Sequence, residues 1–263
     1  MKILFISLGC DKNLADSEEM LGLLTGNGHE IVDSEEEADA IVINTCCFIH
    51  DAKEESVNTI LEMAEYKKTG TCKILIVTGC MAQRYKEEIT EEIPEVDAVL
   101  GTTSYGDIVK ALNEAEAGHV FREFKDINAL PEDSGRRVIT TGGHFGYLKI
   151  AEGCDKHCTY CIIPSLRGKF RSVPEERLLK QAEYMASQGV RELILVAQET
   201  TVYGTDLYGK KTLHILLKKL CQIKGIRWIR VLYCYPEEIY DELIQVMKEE
   251  KKICHYLDLS LIH

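Results

Sequence analysis

The sequence reads as an α/β protein in two parts, an N-terminal doubly wound parallel-sheet domain followed by an incomplete β/α barrel. Three observations lead there. Short, continuous, β-branched apolar runs recur along the chain, as expected of strands buried on both faces. Helical patterns with start and stop signals lie between them. The 263 residues are enough for two domains that each bury a core.

In the first part the apolar runs fall at 2–8, 40–44, 73–78 and 97–100, with a weaker one at 29–33. Asp16 and Glu19 have capping-box spacing before Met20, Leu21, Leu23 and Leu24, and Gly26 supplies the stop. A second helix is predicted over 51–68, with Val57, Ile60, Leu61 and Ala64 on one face and Lys67, Lys68 and Gly70 at its end. Two more, near 83–92 and 104–117, complete an open doubly wound alternation. Between 119 and 143 the periodicity is broken by Pro131, Asp133, Ser134, Gly135 and Gly142-Gly143, so a linker is predicted there, separating domains at 1–118 and 144–263. The second alternation predicts strands at 145–151, 192–197, 227–233 and 256–259. Helices are predicted from a Ser172/Glu175 capping box to Gly189, then at 212–221 and 236–250. Four strands are too few to close a barrel.

Composition narrows the function. Hydrophobic residues at 45% and charged residues at 28% exclude a disordered chain. No run of eighteen apolar residues is present, and Asp11 and Lys12 interrupt the opening apolar stretch too soon for a signal peptide, so a cytoplasmic protein is expected, with no membrane partner. Residues 1–118 hold 9 basic against 24 acidic residues, a net of −15, whereas the remainder is +3. An acidic half disfavours a phosphate backbone and favours a basic partner, or is simply a solvated acidic surface. The run at 33–37 reads as solvated surface. Eleven cysteines in such a chain point to metal or redox chemistry.

Six of those cysteines form two sets. Cys154, Cys158 and Cys161 make a C-x3-C-x2-C run directly after the first strand of the second domain. Three thiolates on one loop can hold a 4Fe-4S cluster and leave one iron open. Zinc would want a fourth ligand, and His157, inside the same short loop, is poorly placed to supply it. Cys10, Cys46 and Cys80 are each placed two residues beyond a predicted strand. Carboxyl ends of parallel strands share one edge, where such folds bind ligands, so these three thiols are expected in one crevice. Singly, each is the kind of small residue that packs in a core. Cys47 could substitute for Cys46 as a ligand, but neighbours on an extended segment point to opposite sides, so only one of the two should face a bound group. Cys72, Cys221, Cys234 and Cys254 share no spacing and read as packing residues. Gly26-Asn27-Gly28 is a helix stop and turn, not a dinucleotide fingerprint.

The C-x3-C-x2-C spacing resembles the signature of radical S-adenosylmethionine (SAM) enzymes, in which the open iron chelates SAM. The stretches SLGCDKNLADSE, INTCCFIHDAKEES, VTGCMAQRY, YLKIAEGCDKHCTYCIIPSLRGKFRS and QETTVYGTDLYG extend the resemblance from Met1 to about Asp258. Together they are similar to the methylthiotransferase family, and within it to the branch that modifies an aspartate of ribosomal protein S-twelve. The resemblance implies a radical-SAM partial barrel, two 4Fe-4S clusters, one at Cys10, Cys46 and Cys80 and one at Cys154, Cys158 and Cys161, and two uses of SAM: one methylates sulfur, the other yields a 5'-deoxyadenosyl radical. A basic ribosomal protein as substrate and an electron donor are implied as partners. Exchanging hydrogen for sulfur at the unactivated β-carbon of an aspartate requires such a radical, so no acid/base pair is nominated. The cofactor-binding candidates are Tyr160, which matches an adenine-contacting aromatic position or simply packs, and Gln198. With Glu199, Gln198 lies beyond the second barrel strand, pointing to the catalytic end or serving as polar loop. Arg167, Lys169 and Arg171 form a basic patch with a structural role or a contact to a carboxylate.

The family continues past the fourth barrel strand and adds a small β-barrel substrate-binding domain (TRAM). This sequence reaches Leu259-Ser260-Leu261-Ile262-His263, with Ser260 and Ile262 where the family carries proline and glutamine. A C-terminally truncated form is therefore expected, with its activity open. The rival readings are methylthiolation of a transfer RNA adenosine, which would add nucleic acid as a partner, and a catalytically incomplete iron-sulfur scaffold.

Overall fold

Parallel strands with both faces apolar need helices on both sides, and the chain supplies them in alternation. A computed structural model describes residues 1–132 and 134–260, so the reading of Leu261, Ile262 and His263 lies outside the described residues. Two units are found. One comprises Met1–Val138 with Thr159–Arg167, the other Ile139–Cys158 with the chain from Gly168 on. Among the described residues no helix is long and apolar enough to cross a membrane.

The first unit runs β1 (Lys2–Ser7), α1 (Asp11–Gly26), β2 (Glu30–Val32), β3 (Ala40–Thr45), α2 (His50–Thr69), β4 (Ile74–Gly79), α3 (Cys80–Arg84), α4 (Lys86–Glu92), β5 (Ala98–Leu100), α5 (Ile108–Glu116) and β6 (Phe121–Glu123). The sheet order is β2-β1-β3-β4-β5-β6, with every pairing parallel. Strand order reverses between β1 and β3, the switch point at which doubly wound sheets open a crevice. Alternation along β3 sorts the two faces. Ala40 and Val42 pack with Met20 and Leu24 of α1 and Ile108 and Leu112 of α5, while Ile41 and Ile43 pack with Ile60, Met63 and Ala64 of α2.

The doubly wound sheet matches expectation; several local details do not. Asp16 and Glu19 do not cap α1, which begins at Asp11 after Cys10. They lie on a buried polar face, Asp16 against Arg167 and Glu19 accepting from Tyr105 Oη at 3.1 Å. The predicted helix at 83–92 is two, α3 and α4, broken at Tyr85. Residues 121–123, placed by the sequence in a linker, are the sixth strand. Further along, Arg136–Val138 strap α1: Arg137 Nε and Nη2 donate to Glu18 Oε2 at 2.8 and 2.6 Å, and Val138 N donates to Glu18 O.

α6 (Ile163–Arg167) also belongs to the first unit. The second unit holds β7 (Phe145–Lys149), β8 (Ala151–Glu152), β9 (Arg171–Ser172), α7 (Glu175–Ser187), β10 (Glu192–Val196), α8 (Thr205–Tyr208), α9 (Leu213–Cys221), β11 (Trp228–Cys234), α10 (Asp241–Glu249) and β12 (Ile253–Leu259). β7, β10, β11 and β12 are neighbours in chain order and all parallel, as a barrel segment requires. α9 buries Leu213, Leu216, Leu217 and Leu220 at helical spacing, each worth roughly 1.5–3 kcal/mol. Ser172 is no cap for α7. It sits in β9 and its Oγ accepts from Gly204 N, while Pro174 precedes the helix. The helix predicted at 236–250 is a 3-10 turn followed by α10, and the last strand starts at Ile253 rather than 256.

Glu18 is fully buried and forms a salt bridge with Arg137. Replacing Arg137 with Ala leaves that charge inside the protein without the guanidinium, so urea unfolding should show a loss of about 3–5 kcal/mol. Glu18→Gln in the same background should recover part of it.

Candidate functional site

In the first unit the three predicted thiols do emerge at the carboxyl edge, though less uniformly than expected. Cys10 is the third residue past β1, Cys46 is the first past β3, and Cys80 follows β4 directly as the first residue of α3. Cys10 and Cys46 therefore flank the switch point. Glycines make two of these exits possible. Gly9 has φ +91°, and a Cβ there would stand 2.7 Å from Cys46 Cβ; Gly79 has φ +94° and presses against Thr45.

Asn13 ties the edge together, and sequence reasoning passed over it. Its Nδ2 donates to Leu8 O at 3.1 Å and Thr45 O at 2.9 Å, and its Oδ1 accepts from Arg167 Nη2 and faces Cys80 Sγ at 3.8 Å. Asn44 Nδ2 donates to Asn13 O and to Ser17 Oγ, both at 2.9 Å, and Ser7 Oγ meets Ser17 Oγ at 2.7 Å. The available signal was spacing: Asn13, Asp16, Ser17 and Met20 form one helical stripe, buried throughout and mostly polar.

The thiols lie within electrostatic reach of one another. Burial raises the pKa of Cys46, with Cys10 adding to the rise and Arg167 opposing it. Burial likewise raises Cys80; the Arg167 charge and a hydrogen bond from it pull the other way, and Cys46 and Cys10 add to the rise. Among the described residues no group of three His, Cys, Asp or Glu side chains is arranged to hold a single metal ion. The donor chemistry nonetheless suits a thiolate-held group: three sulfurs at one edge, with a cation to offset their charge. Cys47 is different. It is buried in the α2-side core, where desolvation lifts its thiol to about 12, so it stays protonated.

Arg167 takes the structural role that the sequence reading allowed for it, in a different unit from Lys169 and Arg171. It is 4% exposed, its Nη1 donates to Asp16 Oδ2 at 2.8 Å, and it belongs to the first unit, whereas Lys169 and Arg171 belong to the second. Leu166 beside it is buried in the α2-side core, and its carbonyl accepts from Thr102 Oγ1 at 2.7 Å. The same division runs through the second cysteine set: Cys154 and Cys158 lie in the second unit, Tyr160 and Cys161 in the first.

Within the second unit the loop carrying Cys154 leaves the sheet through the β8–β9 pair. Gly153 (φ +73°) packs on the Gly168 and Lys169 carbonyls, Cys154 N donates to Gly168 O, and Asp155 Oδ1 accepts from Phe170 N. A cavity of about 300 Å³ opens here, lined by Cys154, Lys156, Phe170, Glu199, Lys211 and Glu238 among others. Lys156, which the sequence reading had not singled out, crosses it to Glu238 Oε1 at 2.7 Å, Glu237 Oε1 at 3.3 Å and Glu199 Oε2 at 3.8 Å, lying over the Tyr235 ring. Burial opposes its charge, but the Glu238 hydrogen bond and the Glu199 charge outweigh that and raise its pKa. Tyr235 is itself raised by burial, and the charges of Cys154 and Cys158 add to that rise. Glu199 and Gln198 are buried beyond β10, and Gln198 Oε1 and Glu199 Oε2 have no hydrogen-bond partner among the described residues. Glu199 lines the cavity, and a buried acceptor there fits a ligand that brings donors.

Burial raises the Glu199 carboxyl to about 7, against the hydrogen bond from Thr201 and the nearby Lys156 charge. A raised carboxyl keeps its proton in the folded state, so its contribution to stability is complete below the ordinary range near 4.5 and is lost as pH climbs to about 7. Urea titrations at about pH 5 and about pH 8 should show the native protein losing on the order of 1–3 kcal/mol relative to Glu199→Gln. An unchanged difference would show that Glu199 titrates normally.

Comparison with known proteins adds the lineage. Residues 2–101 match the uncharacterized protein family UPF0004 and residues 148–262 the radical SAM superfamily. The curated relatives include the ribosomal protein uS12 methylthiotransferase RimO of Lachnoclostridium phytofermentans, 66% identical over the whole of this chain and 60% of that protein. The RimO of Clostridioides difficile is 51% identical over the whole chain and 59% of its own length. The chain thus spans about 60% of the length of the curated relatives it matches. Among solved structures, the radical SAM methyltransferase TsrM from Kitasatospora setae superposes with TM-score 0.64 at 11% identity, over 100% of this chain and 59% of that one. The cobalamin-dependent SAM radical enzyme OxsB gives 0.60 at 15%, over 99% and 44%; at such identities the likeness is one of fold. Over its whole length the chain is thus similar to curated methylthiotransferases, and its two parts match UPF0004 and the radical SAM superfamily in that order.

Proposed function

We propose that this chain carries the iron-sulfur machinery of a radical SAM methylthiotransferase that adds a methylthio group to the β-carbon of an aspartate in ribosomal protein S-twelve. The observation that carries the reading is that Cys10, Cys46 and Cys80 follow three parallel strands at one edge of the first unit, Cys10 and Cys46 flanking its switch point, ahead of a C-x3-C-x2-C run on a radical-SAM fold. In this reading Cys10, Cys46 and Cys80 hold one 4Fe-4S cluster, and Cys154, Cys158 and Cys161 hold the other, beside which SAM binds. When bound, these groups supply one-electron chemistry able to break an unactivated C–H bond and a sulfur to replace the hydrogen.

The protein's own part is positioning. Lys156, anchored on Glu238, fixes the loop between Cys154 and Cys158. Gln198 Oε1 and Glu199 Oε2 offer acceptors to a donor-bearing ligand, which the amino group of SAM would be, and the resemblance alone assigns the adenine contact to Tyr160. The −15 charge of residues 1–118 favours a basic protein over a phosphate backbone as substrate, which sets the ribosomal protein ahead of transfer RNA. A cytoplasmic setting follows from that substrate.

Anaerobic reconstitution with iron and sulfide, then dithionite and SAM, should yield 5'-deoxyadenosine, and mass analysis should find the modified peptide rather than a modified transfer RNA stem-loop. Iron content should fall by half in the Cys10→Ala, Cys46→Ala, Cys80→Ala variant and stay whole in Cys47→Ala. Unchanged iron in the triple variant would sink the second-cluster assignment.

A further inference from the structure

The buried guanidinium of Arg167 has no part in the scheme above, yet it lies at the strand-end thiols. Nη1 is held by Asp16 Oδ2 at 2.8 Å, and Nη2 donates to Asn13 Oδ1, the atom that faces Cys80 Sγ at 3.8 Å. The guanidinium lowers the Cys80 and Cys46 thiols against the rise that burial imposes on both. Arg167 and Asp16 are 4% and 3% exposed, so water does little to screen either charge. Asn13 in turn grips Leu8 O and Thr45 O, the backbone just before Cys10 and Cys46. One arginine thus reaches the surroundings of all three cysteines.

We propose that Arg167 is a positioning and charge-compensating residue for the thiolate-held group at Cys10, Cys46 and Cys80, and that the Arg167–Asp16 pair sets its reduction potential. The inference rests on the cluster assignment above. A cation beside the group favours its more negative, reduced form, and the buried Asp16 carboxylate tempers that effect. The two residues therefore act with opposite sign. Loss of a packing contact would not produce that signature, because either truncation would loosen the same region.

The test uses the full chain with Cys154, Cys158 and Cys161 replaced by Ala, so that one cluster forms, reconstituted anaerobically and titrated with dithionite and redox mediators under electron paramagnetic resonance. The parent should take up about four irons. Arg167→Gln should lower the midpoint so that the reduced-to-oxidised ratio at fixed potential drops at least tenfold, about 59 mV for one electron. Asp16→Asn should raise it several-fold in the same ratio, and Arg167→Lys should titrate near the parent. Shifts of the same sign in the first two variants, or no shift, overturn the proposal. If Arg167→Gln fails to fold or hold iron, Asp16→Asn decides alone: a raised midpoint supports the pair's role, and an unchanged or lowered one overturns it. A parent that takes up no iron overturns the cluster assignment itself, before any change at Arg167, and this inference falls with it.

Discussion

A parallel strand delivers its chemistry at one end only. Every strand of a parallel sheet points the same way, so the residues that follow the strands gather along one edge, and the opposite edge is left to structure. Both units of this chain obey that constraint. In the first, β1, β3 and β4 end in Cys10, Cys46 and Cys80; in the second, β7, β10 and β11 lead to the cysteine loop, Gln198-Glu199 and Tyr235–Glu238. In the first unit the apolar faces of the sheet, covered on both sides by helices, hold that edge still.

Holding the edge still has a polar side too. α1 buries Asn13, Asp16, Ser17, Glu18 and Glu19, an unusual inventory for a helix in a small domain. Each that can be traced meets a partner: Asn13 meets Arg167, Leu8 and Thr45, Asp16 meets Arg167, Ser17 meets Asn44, Glu18 meets Arg137, and Glu19 meets Tyr105. Such a network adds less to stability than an apolar face would, because desolvating the charges is costly. Its return is geometric: hydrogen bonds fix angles and distances that leucines leave free.

That contrast explains what was legible in the sequence. The β-branched runs of β1, β3 and β4 and the leucine spacing of α9 are strong periodic signals, and the strands and helices stand close to where they were expected. The cysteine positions were legible because strand direction alone places them. Capping boxes at Asp16 and Ser172 were misread because the pattern of an acidic or hydroxyl residue three before a glutamate is local, whereas both side chains are engaged by residues far along the chain: Arg167 for Asp16 and Gly204 for Ser172. Asn13, Arg137 and Arg167 escaped for the same reason. Apart from Leu8, five residues from Asn13, the partners named for them lie 31 to 154 residues away, and no short window contains both halves of such a contact. The strand β6 was missed because three residues with one arginine in the middle carry no period.

The segment Thr159–Arg167 gives the chain a property of inheritance. Nine residues that follow Cys158 in sequence are folded into the unit that precedes it, with Leu166 in that unit's core and Arg167 against α1. A cut in the region between the units would part neither cleanly: the upstream piece would lose the side chains that fill its core and neutralise Asp16, and the downstream piece would keep them as an exposed leucine and an unanswered charge. Recombination at that boundary would therefore have to carry Thr159–Arg167 along with the upstream unit to keep Leu166 in its core and Arg167 against Asp16.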